Sequence, residues 1–171
     1  MKVGICTEKA ISNKPARQIH VVMPFTREYL KEALSEVYGN KGIILHPIVN
    51  KVIDWDKTWV KQVVVSDADA KSPYYRLNYF IATQEIIDED YYWVMMDDDS
   101  VEENVISKLK EMDNDVVFIS MKRGQHTPFT ADPTCMHPTW TLYAHPDNVA
   151  INDIGAEQTI VKGRVFKTRK Y

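Results

Sequence analysis

The segment Tyr91–Val101, YYWVMMDDDSV, constrains this chain more than any other stretch. Tyr91, Tyr92, Trp93, Val94, Met95 and Met96 make an apolar, aromatic-rich run that reads as a buried strand. The run stops at three consecutive carboxylates, Asp97, Asp98 and Asp99. Strand side chains alternate, so Asp97 and Asp99 share one side and Asp98 points away. Neighbouring negative charges repel, most severely where water is partly excluded. Such a trio persists most easily facing water or holding a cation. Mg2+ and Mn2+ favour oxygen ligands, and Mg2+ commonly sits between one or two carboxylates and substrate phosphates. In open α/β sheets ligands bind beyond the carboxyl ends of the strands, where this cluster falls. A plainer reading makes DDDS a solvated loop, with Ser100 and Glu103 as a capping box for a helix over Val101–Glu111. The cap accounts for Ser100 and Glu103 but not for three aspartates behind six apolar residues.

The rest of the chain alternates strand and helix patterns. Lys2–Cys6 is a short strand candidate before a polar loop. Ile19–Met23 reads as a strand from its β-branched content. Thr26 is placed to cap a helix over Arg27–Tyr38, with Tyr29, Leu30, Ala33, Leu34 and Val37 on one face and Gly39 at the C′ position. Ile43–Val49 is the next strand, and Pro47 within it argues for an edge position or an early end. Gln62–Val65 suggests a short strand. Ser72 and Pro73 open a helix that runs to Ile87, burying Leu77, Phe80, Ile81, Gln84 and Ile87. Val116–Ser120 reads as a further buried strand. Ile154–Phe166 suggests a short helix and then a strand, with a frayed basic tail over Lys167–Tyr171. This order predicts an α/β fold: a single-domain Rossmann-like sandwich, its central sheet mostly parallel and flanked by helices. Residues 121–150, rich in proline and histidine, read as an ordered functional loop.

With 171 residues the chain can bury a real core but leaves no room for a second domain. A net charge of −3 gives no electrostatic case for nucleic acid or an anionic membrane. No uninterrupted apolar run is long enough for a transmembrane helix. The start MKVGICTEKA lacks the apolar stretch of a signal peptide. Cys6 and Cys135 have no metal-type spacing and read as reduced thiols of a cytoplasmic protein, with one disulfide left open.

Taken together, IHVVMPFTRE, SPYYRLNYFIATQEIIDEDYYWVMMDDDS, ENVISKLKEM and DVVFIS resemble successive parts of the nucleotide-diphospho-sugar transferases of the GT-A fold, particularly the family-2-like glycosyltransferases. IGAEQTIVKG is a weaker match to their catalytic segment. The resemblance implies a nucleotide-sugar-binding core over 19–120 and a reduced acceptor and catalytic region over 121–171. It implies transfer of a sugar from a nucleotide-diphosphate sugar, UDP-sugar favoured, to an acceptor hydroxyl. Asp97 and Asp99 would hold Mn2+ or Mg2+, with Asp97 and Asp98 near the nucleotide. Pro24, Phe25 and Thr26 would form the nucleotide-contacting turn, Phe25 against the base. Arg76 would meet the nucleotide or its phosphates, and Asn50 or Asp54 the base edge. Glu157, with Asp153 as alternative, would be the general base. His145 or His137 could complete the metal shell, since imidazole suits Mn2+ tolerably. The chemistry is consistent: a divalent ion stabilises the leaving diphosphate, and a carboxylate takes the acceptor proton.

Each residue also has a structural reading. Phe25 could be core, Arg76 a surface helix residue, Glu157 a solvated one, and the histidines structural. The segment AEQ departs from the family's usual Glu-Asp pair, so a non-catalytic sugar-nucleotide- or metal-binding domain stays open. So does a haloacid-dehalogenase-like Mg-dependent phosphatase, with Asp97 as nucleophile and Asp99 as acid. Its nucleophile strand normally comes first, however, and several elements precede Asp97 here. The acceptor, the stereochemical outcome and the oligomeric state, a homodimer included, are not specified by the sequence.

Overall fold

The computed structural model describes residues 17–39, 41–66, 72–97, 99, 103–119, 121–122, 141–142 and 159–171. Strands β1 (Ile19–Pro24), β2 (Ile44–Val49), β3 (Val63–Val64), β4 (Tyr91–Val94) and β5 (Val116–Phe118) are followed by the short pair β6 (Met121–Lys122) and β7 (Thr141–Leu142), and then by β8 (Thr159–Lys162). Helices α1 (Lys31–Tyr38), α2 (Pro73–Thr83), α3 (Glu103–Glu111) and the single turn α4 (Gly163–Phe166) connect or flank them. Six strands share one sheet in the order β3-β2-β1-β4-β8-β5, and β6 and β7 pair separately. β1 runs parallel to β2 and β4, with His20 opposite both Ile44 and Tyr92. β8 is antiparallel to β4 on one side and to β5 on the other. The sheet is therefore mixed, where a mostly parallel one was expected, and the exception is the strand that arrives last.

All six residues of β1 and all four of β4 are buried, as continuous apolar strands under two layers must be. On one face Val21, Met23, Phe25, Leu45 and Trp93 pack with Leu34 and Tyr38 of α1 and Ile106 and Leu109 of α3. On the other Val22, Ile48, Tyr92, Val94 and Val161 pack with Leu77 and Phe80 of α2 and Phe166 of α4. Helices thus cover both faces of the sheet, as the strand–helix alternation predicts.

Several local expectations change. β2 is interior, not an edge. Leu45 N–H donates to Trp59 O on the β3 side, and Pro47, two residues on, faces the same side. Its missing N–H therefore falls between the isolated Leu45–Val60 bridge and the short pairing at Val63. β5 is an edge strand with Val117 buried but Val116 and Phe118 exposed. The helix expected from Arg27 begins with one 3-10 turn, Glu28–Leu30, and the side chain of Arg27 makes no cap bond there. Gly39 is helical; the left-handed residue is Gly42, at φ 64°. α2 stops at Thr83, leaving Gln84 and Ile87 exposed, while its start is as expected: Ser72 Oγ accepts from Tyr74 N–H beside Pro73. In the last segment the strand Thr159–Lys162 is present and is followed by a helical turn, while residues 154–158, ahead of it, lie outside the described residues. The final residues are docked: Tyr171 exchanges two hydrogen bonds with the Asn78 side chain, so the expected fraying is not seen. The expected strand Lys2–Cys6 and the capping residue Ser100 lie outside the described residues.

Within the α2 face runs a buried polar chain. Asp90 accepts from Gln18 N–H and meets His20 Nε2 at 3.2 Å, and His20 Nδ1 meets His46 Nε2 at 2.8 Å. An ionised Asp90 must accept from Nε2–H of His20. Nδ1 of His20 is then an acceptor, and Nε2–H of His46 donates to it. His46 Nδ1 is left as a buried lone pair with no partner among the described residues. His20 stacks on Tyr92, and Tyr92 on Phe166. At the amino-terminal edge of β4 the buried Lys162 ammonium meets Asp113, Glu89 and Asp115. Arg164 joins Glu89 and Asp115.

Candidate functional site

The strand order reverses between β1 and β4. From β1 the chain continues outward to β2 and β3; beyond β4 lie β8 and β5. Such a reversal, at the carboxyl ends of the strands, is where open α/β sheets bind ligands. The residues leaving β1 there are Phe25, Thr26 and Arg27. Those leaving β4 are Met95, Met96 and Asp97. The aspartates thus follow a central strand, as expected, and Asp97 stands at the reversal itself.

Asp97 is buried, with about a twentieth of its side chain exposed. Its Oδ2 accepts from Thr26 N–H and Arg27 N–H, both at 3.1 Å, and from the Thr26 hydroxyl at 3.4 Å. Its Oδ1 accepts from Arg27 Nε at 2.9 Å and from a second guanidinium nitrogen of the same residue. Burial by itself would raise the Asp97 pKa; the Arg27 guanidinium and the Thr26 amide outweigh it and hold the carboxyl below its ordinary value. One aspartate thereby fastens the loop after β1 to the end of β4. This also explains why Thr26 does not cap the following helix: its hydroxyl and amide are spent on Asp97.

Asp99 turns back onto its own strand end. Its Oδ2 accepts from Met96 N–H at 2.9 Å, and its N–H donates to Met96 O. Its carbonyl accepts from the Tyr38 hydroxyl, whose pKa burial and the nearby Asp99 charge both raise. Asp97 and Asp99 are thus gathered at one strand end but oriented by different partners.

The other expected contacts fall into two groups. Pro24 is buried as the last residue of β1. Phe25 is 1% exposed and lies against Trp55, with ring centroids 5.4 Å apart. It is a core residue here and presents no face to a base. Arg76 is also buried: its guanidinium donates to Phe25 O at 2.8 Å and Ile48 O at 3.1 Å. It ties α2 to the ends of β1 and β2, and at Ile48 O it adds a second donor to a carbonyl that already accepts from Phe25 N–H. Thr26, Asn50 and Asp54, in contrast, are exposed around the same strand ends. Lys31 Nζ reaches the Asp54 carbonyl at 2.7 Å. Asp98, Asp153, Glu157, His137 and His145 lie outside the described residues.

Fitting a divalent ion to this arrangement meets an obstacle. Both oxygens of Asp97 already carry protein donors, including a cation. Among the described residues no three His, Cys, Asp or Glu side chains come together in a way that could hold a metal. The residue that sequence reasoning missed is Arg27. A basic residue directly behind the strand-ending Pro24–Phe25–Thr26 was the available signal, because β1 and an aspartate-terminated β4 become neighbours in this topology.

The chain matches no protein-family model, no curated protein and no solved structure among those compared. Its class therefore rests on its own geometry: an α/β protein with a mixed six-stranded sheet, helices on both faces, and a buried carboxylate at the strand-order reversal. No helix among the described residues is long and apolar enough to cross a membrane.

Proposed function

We propose that the protein is a glycosyltransferase that moves a sugar from a nucleoside-diphosphate sugar to an acceptor hydroxyl, on a GT-A type sandwich. The observation that carries this reading is Asp97. It is a charged group kept buried at the strand-order reversal, the place where open α/β sheets bind ligands, and it joins the loop after β1 to the end of β4. A structural loop could be fastened by neutral groups; an ionised carboxylate with a guanidinium is an expensive fastener unless the charges also serve a ligand. The direction of β8 adds support. Being antiparallel to β4, it enters the sheet at that strand's carboxyl end. Thr159 begins it, and Glu157 is two residues upstream in the sequence.

In this reading the acceptor oxygen attacks the anomeric carbon of the donor. The bond from that carbon to the diphosphate oxygen breaks, and the diphosphate leaves with the electron pair. The acceptor proton passes to the Glu157 carboxylate, the general base. Asp97 acts as a positioning residue by fixing Thr26 and Arg27. A phosphatase reading would need a free Asp97 oxygen as nucleophile, and both oxygens are engaged, so the transferase is favoured. The setting we propose is the cytoplasm, with Cys6 and Cys135 reduced.

The test is a thermal-shift screen of nucleosides, nucleoside monophosphates, diphosphates and UDP-sugars. A ligand that binds only the folded chain raises its stability, by about 2.7 kcal/mol at a hundredfold excess over Kd. We expect diphosphates and UDP-sugars to stabilise selectively. Glu157→Gln should keep that shift and lose transfer. Equal shifts from nucleoside and diphosphate, or none from either, would remove the reading.

A further inference from the structure

We propose that Arg27 is the resident cation of this site: it holds the place at Asp97 that a divalent ion would take, and it receives the donor's diphosphate without metal. The inference rests on the transferase reading for the identity of the ligand, but its grounds are separate.

The carboxylate of Asp97 has two oxygens and a limited set of lone pairs. Oδ2 is used by the Thr26 hydroxyl and by two backbone amides, and the amides cannot leave without opening the loop after β1. The remaining oxygen, Oδ1, carries the Arg27 guanidinium through two nitrogens. An incoming divalent ion would meet a fixed positive charge within a few ångströms, in a setting that screens poorly. The guanidinium is anchored from the main chain as well, since the Arg27 amide donates to the same carboxylate. Backbone and side chain of one residue thus converge on Asp97.

The arrangement also suits an anion. Buried Asp97 fixes the plane of the guanidinium, while the Arg27 side chain remains about a third exposed. A planar, permanently charged fork with several N–H donors is the side chain best matched to phosphate oxygens. Asp97 supplies the orientation that a flexible surface arginine lacks, and it sets the fork at the carboxyl ends of β1 and β4, where a ligand binds. The Asp-x-Asp pair is then an arginine support, with Asp99 closing the strand end through Met96 N–H.

The deciding experiment is calorimetric titration of the full chain with UDP, once in EDTA and once in Mn2+. A parallel titration with Mn2+ alone is followed by electron paramagnetic resonance. Wild type should bind UDP with the same Kd, within twofold, in both buffers, and should take up no Mn2+ alone. Arg27→Gln should weaken UDP at least tenfold in EDTA and gain Mn2+ uptake, because Oδ1 is released; Arg27→Lys should fall between. The wild-type comparison needs no variant, so a poorly folding mutant does not blunt the test. UDP binding that requires Mn2+, or Mn2+ uptake by wild type that Asp97→Asn removes, overturns the proposal and leaves the transferase reading standing. UDP binding in neither buffer overturns both.

Discussion

At the scale of single residues, the buried polar groups divide into those with a full set of partners and those without. Asp97 is complete. His46 is not: its Nδ1 lone pair is buried beside Phe80 with no donor among the described residues. Protonating it would place a charge there, next to His20 and near Lys61. Burial, first, and those two neighbours hold its pKa down at about 3. His20 is lowered too, because burial outweighs the support of Asp90. The sign follows directly. In the unfolded chain both histidines titrate near 6.5. Below that pH the unfolded state binds protons that the folded state refuses, so stability is full above about 6.5 and falls as pH drops toward 3. For His46 the slope reaches about 1.4 kcal/mol per pH unit. His46→Gln can still donate to His20 but cannot titrate. Urea unfolding between pH 7.5 and 4.5 should show a slope shallower by about that amount in the variant. Equal slopes would mean that His46 is protonated in the native state.

At the scale of elements, two glycines test how closely the pieces meet. α4 starts at Gly163, whose N–H donates to Asp90 O; a Cβ there would stand 2.0 Å from the carbonyl oxygen of Ile87. Backbone, not a flexible side chain, blocks it. Gly42 instead needs its positive φ, and a Cβ there would meet only the end of Lys110. Gly163→Ala should therefore cost about 3 kcal/mol, as overpacking does, and Gly42→Ala about 1 kcal/mol. Denaturant unfolding ranks the two, and the reverse order would place α4 farther from Ile87. The same elements show what local pattern can reveal. β1, β2, β4 and the bodies of α1, α2 and α3 were legible because their apolar residues repeat with the period of the element or run continuously. β8 was not. It is four residues long and includes a buried lysine, and what makes Lys162 tolerable there is a set of carboxylates at 89, 113 and 115, distant in sequence. The site was half legible. Asp97 announced itself by following an apolar strand. Its partner Arg27 is supplied by the neighbouring strand, and which strands are neighbours is a property of topology. The histidine chain stayed hidden for the same reason.

At the scale of the molecule, the two ends of the sheet differ. The carboxyl ends of the parallel strands carry Asp97 and Arg27; the amino end of β4 carries Lys162, Arg164 and their carboxylates. β8 crosses from one to the other and stands between β4 and β5 in the strand order. Stopping the chain after residue 158 removes β8 and α4 together. That truncation should abolish cooperative unfolding, read as a melting curve without a sharp transition, and send most of the protein to the insoluble fraction. A soluble truncation with a sharp melt would show that β5 can dock without β8. The arrangement also has a consequence for synthesis. Trp93 pairs with Ile160, roughly 70 residues later, so this closure is a contact of high sequence separation and comes slowly. While the ribosome is still making that stretch, β4 offers Tyr91, Tyr92, Trp93 and Val94 along an open strand edge, the kind of surface that recruits other strands. The nascent chain therefore passes through a window of exposure that a chaperone would have to cover, and the window shuts only when Thr159–Lys162 emerges from the exit tunnel.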